Sequence, residues 1–233
     1  MPRATITSLG NAGIQVDHGG MTILIDPFFG MPGETGVSRW ECARRIGKID
    51  LILITHEHWD HFNAADVENA VGRTGATVVG PAVVIRRLKG QLPPDALIEL
   101  EPPVAGHGQP YRSLTATAAG ANITAFRTAH AKGHNSYLVV LPGLRFFHDG
   151  DNERTQDFDR APLMRLDALM LCPWQGAGWV EFIEAIRPAN WFLIHMDGEE
   201  LGRHAEGKFF PELCDRLPMD PIALRPGESR AIE

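Results

Sequence analysis

The chain has 233 residues, enough for a sizeable core, and its 44% hydrophobic and 22% charged residues are ordinary for a globular protein. A formal charge of −7 argues against a sequence-independent nucleic-acid binder, which needs a basic surface to displace counterions from phosphates.

The chain opens with ATITSLG, AGIQVD and MTILIDP, three short β-branched runs parted by Gly, Asn and Asp, which predict an antiparallel meander. FFGMPGETG is a Gly/Pro-rich loop able to fold over a site, and SRWECARRIG predicts a short helix. DLILIT is continuously apolar, as a strand buried on both faces is. NAADVENAVG predicts a helix capped by Asn63, with Asp66 three residues on and Gly72 at its end. ATVVG and PAVVIRRLKG repeat the strand–helix theme, with Pro81 suited to a first helical turn. From about residue 97 strands dominate again: ALIEL, SLTATA, NITAFRTAH, NSYLVVLP and LRFFHDGD. LDALMLCP, WVEFIEAIRP and NWFLIH then predict a strand, a helix and a strand. This order places the chain in the α/β class. Residues 1–233 are expected to form one domain of two mixed sheets packed face to face with helices outside, a four-layer αββα sandwich. Spacing does not reveal the strand order.

Cys42, Cys172 and Cys214 are odd in number and widely spaced, so they read as reduced thiols rather than as a disulfide framework or a thiolate metal site. No N-terminal stretch has the basic flank and apolar core of a signal peptide, and no apolar run is long enough for a bilayer. A cytoplasmic location without membrane partners is expected.

Chemistry concentrates where DLILIT runs into HEHWDH. His56, His58, Asp60 and His61 crowd the loop after a buried strand, and loop hydrogen bonding explains one histidine there better than three. Neutral imidazole and carboxylate are natural ligands of zinc and related divalent ions. His56 and His58 can face one ion while Asp60 and His61 turn toward a second. His130 closes NITAFRTAH, Asp149 and Asp151 follow the strand in FFHDGDN, and His195 closes NWFLIH, so each can face the same cleft. Trp59, Trp174 and Trp179 are candidates for an apolar pocket wall, and Asp149 reads as a loop residue rather than a ligand.

THEHWDH matches the H-x-H-x-D-H signature of the metallo-β-lactamase superfamily, and His130, Asp151 and His195 follow in the family's order. AHAKGHNSY resembles the glyoxalase II-type segment whose first histidine is a ligand and whose second lines the site, which selects His130 over His134. The opening ITSLGNAGIQVDHGGMTILIDPFF resembles the ascorbate-phosphate-lactonase-like branch. Two departures stand out: Asn11 where that branch carries His, and Gly150-Asp151-Asn152 where the family reads Gly-Asp-Thr.

The resemblance implies two divalent ions, zinc by default, with manganese and iron suited to the same ligands. His56, His58 and His130 would hold one, Asp60, His61 and His195 the other, and Asp151 would bridge them. Asp60 would also be catalytic, orienting the attacking water. Asn11, Asp26 and His134 would contact substrate or support a ligand. The implied reaction is hydrolysis of a small ester or lactone, phosphorylated or not. Alternatives are a small-molecule phosphodiesterase and a mononuclear-iron persulfide dioxygenase, which keeps the same histidines and is separated by metal analysis. The oxygen-reducing diiron relatives carry Glu where His58 stands. The interval from Asp151 to His195 leaves no room for the inserted domain of the nuclease branch. The expected partner is a small-molecule substrate, with no nucleic acid; oligomeric state is not readable.

Overall fold

Strands β1 (Ala4–Gly10), β2 (Gly13–His18) and β3 (Met21–Ile25) pair antiparallel as the expected meander, and β1 alternates buried and half-buried residues, the period of a strand with one face inward. This computed structural model describes residues 3–27 and 47–233. The loop FFGMPGETG, residues 38–46 of the helix expected in SRWECARRIG, and Cys42 lie outside the described residues.

β4 (Leu51–Leu53), β5 (Thr77–Gly80) and β6 (Leu97–Glu99) extend the meander as parallel strands. All of β4 is buried, as its unbroken apolar run predicts. Parallel neighbours need crossovers, supplied here by α1 (Ala64–Thr74) and α2 (Ala82–Leu88).

The second sheet repeats the plan. β7 (Ser113–Ala118), β8 (Ala121–Arg127), β9 (Asn135–Leu141) and β10 (Leu144–His148) are antiparallel; β11 (Ala168–Leu171) and β12 (Trp191–Leu193) follow in parallel, with α3 (Trp179–Ile186) between them. The chain then forms α4 (Gly198–Ala205) and returns to the first sheet as β13 (Ser229–Ile232), antiparallel to β1. Strand orders are β13-β1-β2-β3-β4-β5-β6 and β12-β11-β10-β9-β8-β7.

Ile25, Leu51, Leu53, Val139, Phe146 and Met170, all fully buried, fill the space between the sheets. Each such side chain stabilises the fold by about 1.5–3 kcal/mol relative to exposure. Outside the first sheet, Val67, Val71, Val84 and Ile85 of α1 and α2 pack on Ile52, Ile54 and Val78. Outside the second, Phe182, Ile183 and Ile186 of α3 pack on Phe147, Leu169 and Trp191. These are the four layers that the sequence predicts.

The α1 cap is as expected, with Asn63 Oδ1 accepting from the Asp66 amide at 3.2 Å. The helix runs past Gly72, however, and ends at Gly75 with φ 72°, the left-handed geometry that glycine adopts most readily. Pro81 stands one residue before the first turn of α2, as its extended N-cap, rather than within it. β13 and α4 are not among the elements expected from the sequence. α4 does announce itself by a capping box, in which Asp197 accepts from the Glu200 amide and Glu200 accepts from the Asp197 amide. Among the described residues no helix is long and apolar enough to cross a membrane.

Candidate metal centre

The loops that follow β4, β8, β10 and β12 bring His56, His58, Asp60, His61, His130, Asp151 and His195 together at one rim of the sandwich. β8 ends at Arg127 and β12 at Leu193, so His130 and His195 sit in the loops just beyond their strands. Among the described residues three groups of donor atoms form: two that share no residue, His56, His58, His130 and Asp151 on one side and Asp60, His61 and His195 on the other, and a third of Asp26, His56 and His61.

Asp151 Oδ2 stands between the first two groups. It lies 3.8 Å from His56 Nε2, 3.1 Å from His61 Nε2, 3.6 Å from His130 Nε2 and 3.4 Å from His195 Nε2. Asp60 Oδ2 lies 3.3 Å from His195 Nε2 and 3.7 Å from His61 Nε2, and His58 Nδ1 is 3.4 Å from His130 Nε2. Ligand atoms about 2.0–2.1 Å from a tetrahedral ion stand roughly 3.3 Å apart, which is the spacing seen here. Three atoms inside the cluster, His56 Nε2, His61 Nε2 and Asp151 Oδ1, are buried without a hydrogen-bond partner. Orphaned buried acceptors are rare, and a set of them converging on one point suits a cation.

The outward sides of the rings explain the inward ones. His61 Nδ1 meets Asp26 Oδ2 at 2.8 Å; a carboxylate only accepts, so the imidazole donates and its neutral form leaves Nε2 as the free lone pair. Thr55 Oγ1 donates to the same Asp26 oxygen at 2.5 Å, so it accepts from His56 Nδ1 at 2.9 Å, which again frees Nε2. The Thr55 amide donates to Asp26 Oδ1 at 2.7 Å. One fully buried carboxylate thus orients two imidazoles. His130 Nδ1 donates to Glu153 Oε1 at 2.9 Å and keeps its Nε2 inward.

Asn11 and His134 are also supports. Asn11 Nδ2 donates to the carbonyl and to Oδ2 of Asp60, both at 3.2 Å, while its own carbonyl accepts from the His195 amide at 2.9 Å. His134 is fully buried: Nδ1 bonds Thr128 Oγ1 at 2.7 Å, and Nε2 accepts from the Asp151 amide at 3.0 Å. His134 therefore supports Asp151 from behind rather than lining the site. A Cβ on Gly150 would stand 2.6 Å from His134 Nε2, and Gly150 has φ 61°, so only glycine passes between the two. Asn11, Asp26 and His195 also have positive φ, at 50°, 42° and 60°, which concentrates backbone strain where it holds this cluster.

In the metal-free protein the buried charges redistribute protons. Burial disfavours charge on His61 and His195, but the neighbouring carboxylates prevail and raise them to about 10 and about 9. Burial also opposes ionisation of Asp60 and Asp151. Hydrogen bonding to His195, together with the charge on His61, overcomes it, bringing Asp60 to about 2 and Asp151 well below the usual carboxylate range. His56 falls to about 3, chiefly through burial and then through the charge on His61. Asp149 accepts from Ser136 and Asn152 and stands outside the donor groups; burial pushes it up to about 8.

Trp179 is a core residue, buried against Trp191 and Phe210, so it walls no pocket. Trp174 lies at the site, its indole N–H donating to the His195 carbonyl at 3.0 Å and its ring edge-on to His195. Trp59 is 67% exposed. Sequence reasoning misses Thr55, Glu153 and Gln175. The only signal for the first two is adjacency, since Thr55 precedes His56 and Glu153 follows Asp151 by two residues, and Gln175 has none.

Two mixed sheets carrying a histidine–aspartate pit at a shared rim define the metallo-β-lactamase class. The family described as "Beta-lactamase superfamily domain" matches residues 21–196, and the chain belongs to it. A UPF0173 metal-dependent hydrolase of Nitratidesulfovibrio vulgaris is 35% identical over 152 residues, 63% of this chain and 58% of that protein. The chain thus spans under two thirds of that relative's length. A UPF0173 metal-dependent hydrolase of Archaeoglobus fulgidus is 25% identical across 96% of this chain and 97% of its own. Among solved structures, the metallo hydrolase Igni18 of Ignicoccus hospitalis superposes with a TM-score of 0.68 at 19% identity, covering 99% of this chain and 98% of that one, a likeness of fold.

Proposed function

We propose that this chain is a metal-dependent hydrolase that holds two divalent ions, zinc by default with manganese or iron as substitutes, and cleaves a small ester or lactone, phosphorylated or not. The observation that carries this reading is Asp151 Oδ2 centred among four imidazole nitrogens, with Nε2 of His56 and of His61 buried and without a hydrogen-bond partner. His56, His58 and His130 would hold one ion and Asp60, His61 and His195 the other, with Asp151 placed to reach both. Bound there, the ions supply Lewis acidity and bring the pKa of water toward neutrality. Asp60, ionised at neutral pH and braced by Asn11, orients the attacking water and accepts its proton. His134, Asp26 and Glu153 keep the donor atoms aimed while charge changes at the centre. The lactonase-like opening of the sequence supports the substrate class. The relatives' name, metal-dependent hydrolase, supports the reaction type.

Metal analysis of the purified protein, then a screen of lactones, carboxylic esters and phosphodiesters, tests this. Two equivalents of metal and lactone or ester turnover are expected. Turnover confined to phosphodiesters would replace the substrate class, one iron with thiol-dependent oxygen uptake would replace the reaction, and a protein that takes up no ion would refute both.

A further inference from the structure

Between β11 and α3 the chain runs through Cys172-Pro173-Trp174-Gln175-Gly176-Ala177-Gly178, a loop that the ligand motifs do not include. Its placement is tight. A Cβ on Gly176 would stand 2.5 Å from the Glu153 carbonyl carbon, and one on Gly178 would stand 2.7 Å from Gln156 Oε1. Reciprocal bonds seal the contact: the Ala177 amide donates to the Glu153 carbonyl at 3.0 Å, and Thr155 Oγ1 donates to the Ala177 carbonyl at 2.8 Å. The loop therefore lies directly on the segment that follows Asp151.

From that seat it touches two of the proposed ligands directly and a third through Glu153. Gln175 Nε2 donates to Asp151 Oδ2 at 3.3 Å, the oxygen at the centre of the cluster. Trp174 Nε1 donates to the carbonyl of His195 at 3.0 Å. Glu153, pinned by Ala177, accepts from His130 Nδ1. Asp151 and His130 belong to one donor group and His195 to the other.

We infer that the loop 173–178 is a strap that sets the ion affinity of the centre, with Gln175 and Trp174 as positioning residues. Gln175 holds the Asp151 carboxylate in the rotamer that faces both donor groups. Trp174 fixes the backbone turn from which His195 enters. Neither residue is a ligand, and neither is required for folding, because the glycine-mediated contact with residues 153–156 seats the loop without them. Side chains that orient metal ligands through hydrogen bonds typically contribute tenfold to a hundredfold in affinity. The inference rests on the two-ion reading above, and the experiment separates their failures.

The test is zinc titration calorimetry on chelator-stripped wild type, Gln175→Leu and Trp174→Phe, with thermal unfolding of each metal-free protein alongside. The leucine keeps the volume of Gln175 and removes its donor; the phenylalanine keeps a ring against His195 and removes the indole N–H. The expected result is at least a tenfold loss in affinity for one zinc equivalent in Gln175→Leu and a smaller loss in Trp174→Phe, with metal-free unfolding temperatures unchanged. Wild-type affinities in both variants would overturn the strap while leaving the two-ion centre standing. An affinity loss that only tracks a lowered metal-free unfolding temperature would overturn it too, by showing a purely structural role. A wild type that binds no zinc would refute the two-ion reading itself.

Discussion

Asp26→Asn exchanges one oxygen for an amide group, yet it should disable two ligands. In the wild type Asp26 Oδ2 accepts from both Thr55 Oγ1 and His61 Nδ1, and Oδ1 accepts from the Thr55 amide. The asparagine must keep its oxygen on the Thr55 amide, which leaves its NH2 facing Thr55 Oγ1 and His61 Nδ1. An NH2 only donates, so His61 Nδ1 becomes an acceptor and its proton moves to Nε2. Thr55 Oγ1 likewise accepts from the asparagine and turns its own proton to His56 Nδ1, which puts the His56 proton on Nε2 as well. Both nitrogens aimed at the centre then carry hydrogen. With tenfold to hundredfold per misoriented imidazole, zinc affinity should fall about 100- to 10,000-fold. Stability should fall by about 1.5–3 kcal/mol, because these hydrogen bonds are kept but lose the charge of the carboxylate. Zinc calorimetry on the stripped protein measures the first, and long-range proton–nitrogen correlation spectra of the imidazoles read the tautomers. Wild-type affinity, or protons still on Nδ1 of both rings, would refute the reasoning.

Gly150→Ala should destabilise the metal-free protein by about 2–5 kcal/mol, the sum of a left-handed alanine and a forced contact with His134. A melting temperature within a degree of wild type would contradict it. Asp60→Ala should retain the fold by circular dichroism yet lose hydrolytic activity at least a hundredfold, and a fully active variant would remove Asp60 from the proton-transfer role. Ion binding should release protons, because His61 and His195 stand at about 10 and about 9 without metal and must bind as neutral rings. Affinity should therefore rise by up to a hundredfold per pH unit between pH 6 and 8, and calorimetry in buffers of different ionisation enthalpy should count close to two protons. Both folded values lie above the unfolded value near 6.5. Their contribution to metal-free stability is accordingly full below that pH and is lost as pH climbs through 9 to 10. A metal-free protein whose stability does not decline over that range would contradict the assignment.

The sandwich and the donor cluster are legible in the sequence because both rest on local pattern. β4 is an unbroken apolar run, α1 opens on an Asn63 cap, and the donors stand directly after strands or within a few residues of them. What is hidden depends on three-dimensional meeting. Nothing in residues 229–232 says that they pair with β1 across the whole length of the chain. Gly72 and Gly75 look equivalent in sequence, and only the register of α1 decides which one needs the left-handed turn. His134 reads as a site-lining residue because its neighbours resemble one. Its burial beneath the Asp151 amide is a consequence of how β8, β9 and β10 stack. Gln175 carries no signal and Thr55 none beyond standing next to His56, since a hydroxyl or an amide becomes a support only through the geometry of the group it meets.

The donors come from both sheets: the loop after β4 leaves the first, while His130, Asp151 and His195 leave the second. Cations lodged there would act as rivets through two plates otherwise joined by apolar packing and by a few hydrogen bonds, among them Tyr137 Oη to the Ile54 carbonyl at 2.8 Å and the Asn135 amide to the Thr55 carbonyl at 2.9 Å. Sliding one plate along the other would pull every donor off its mark at once, so the loaded molecule should resist shear between its halves far better than the stripped one.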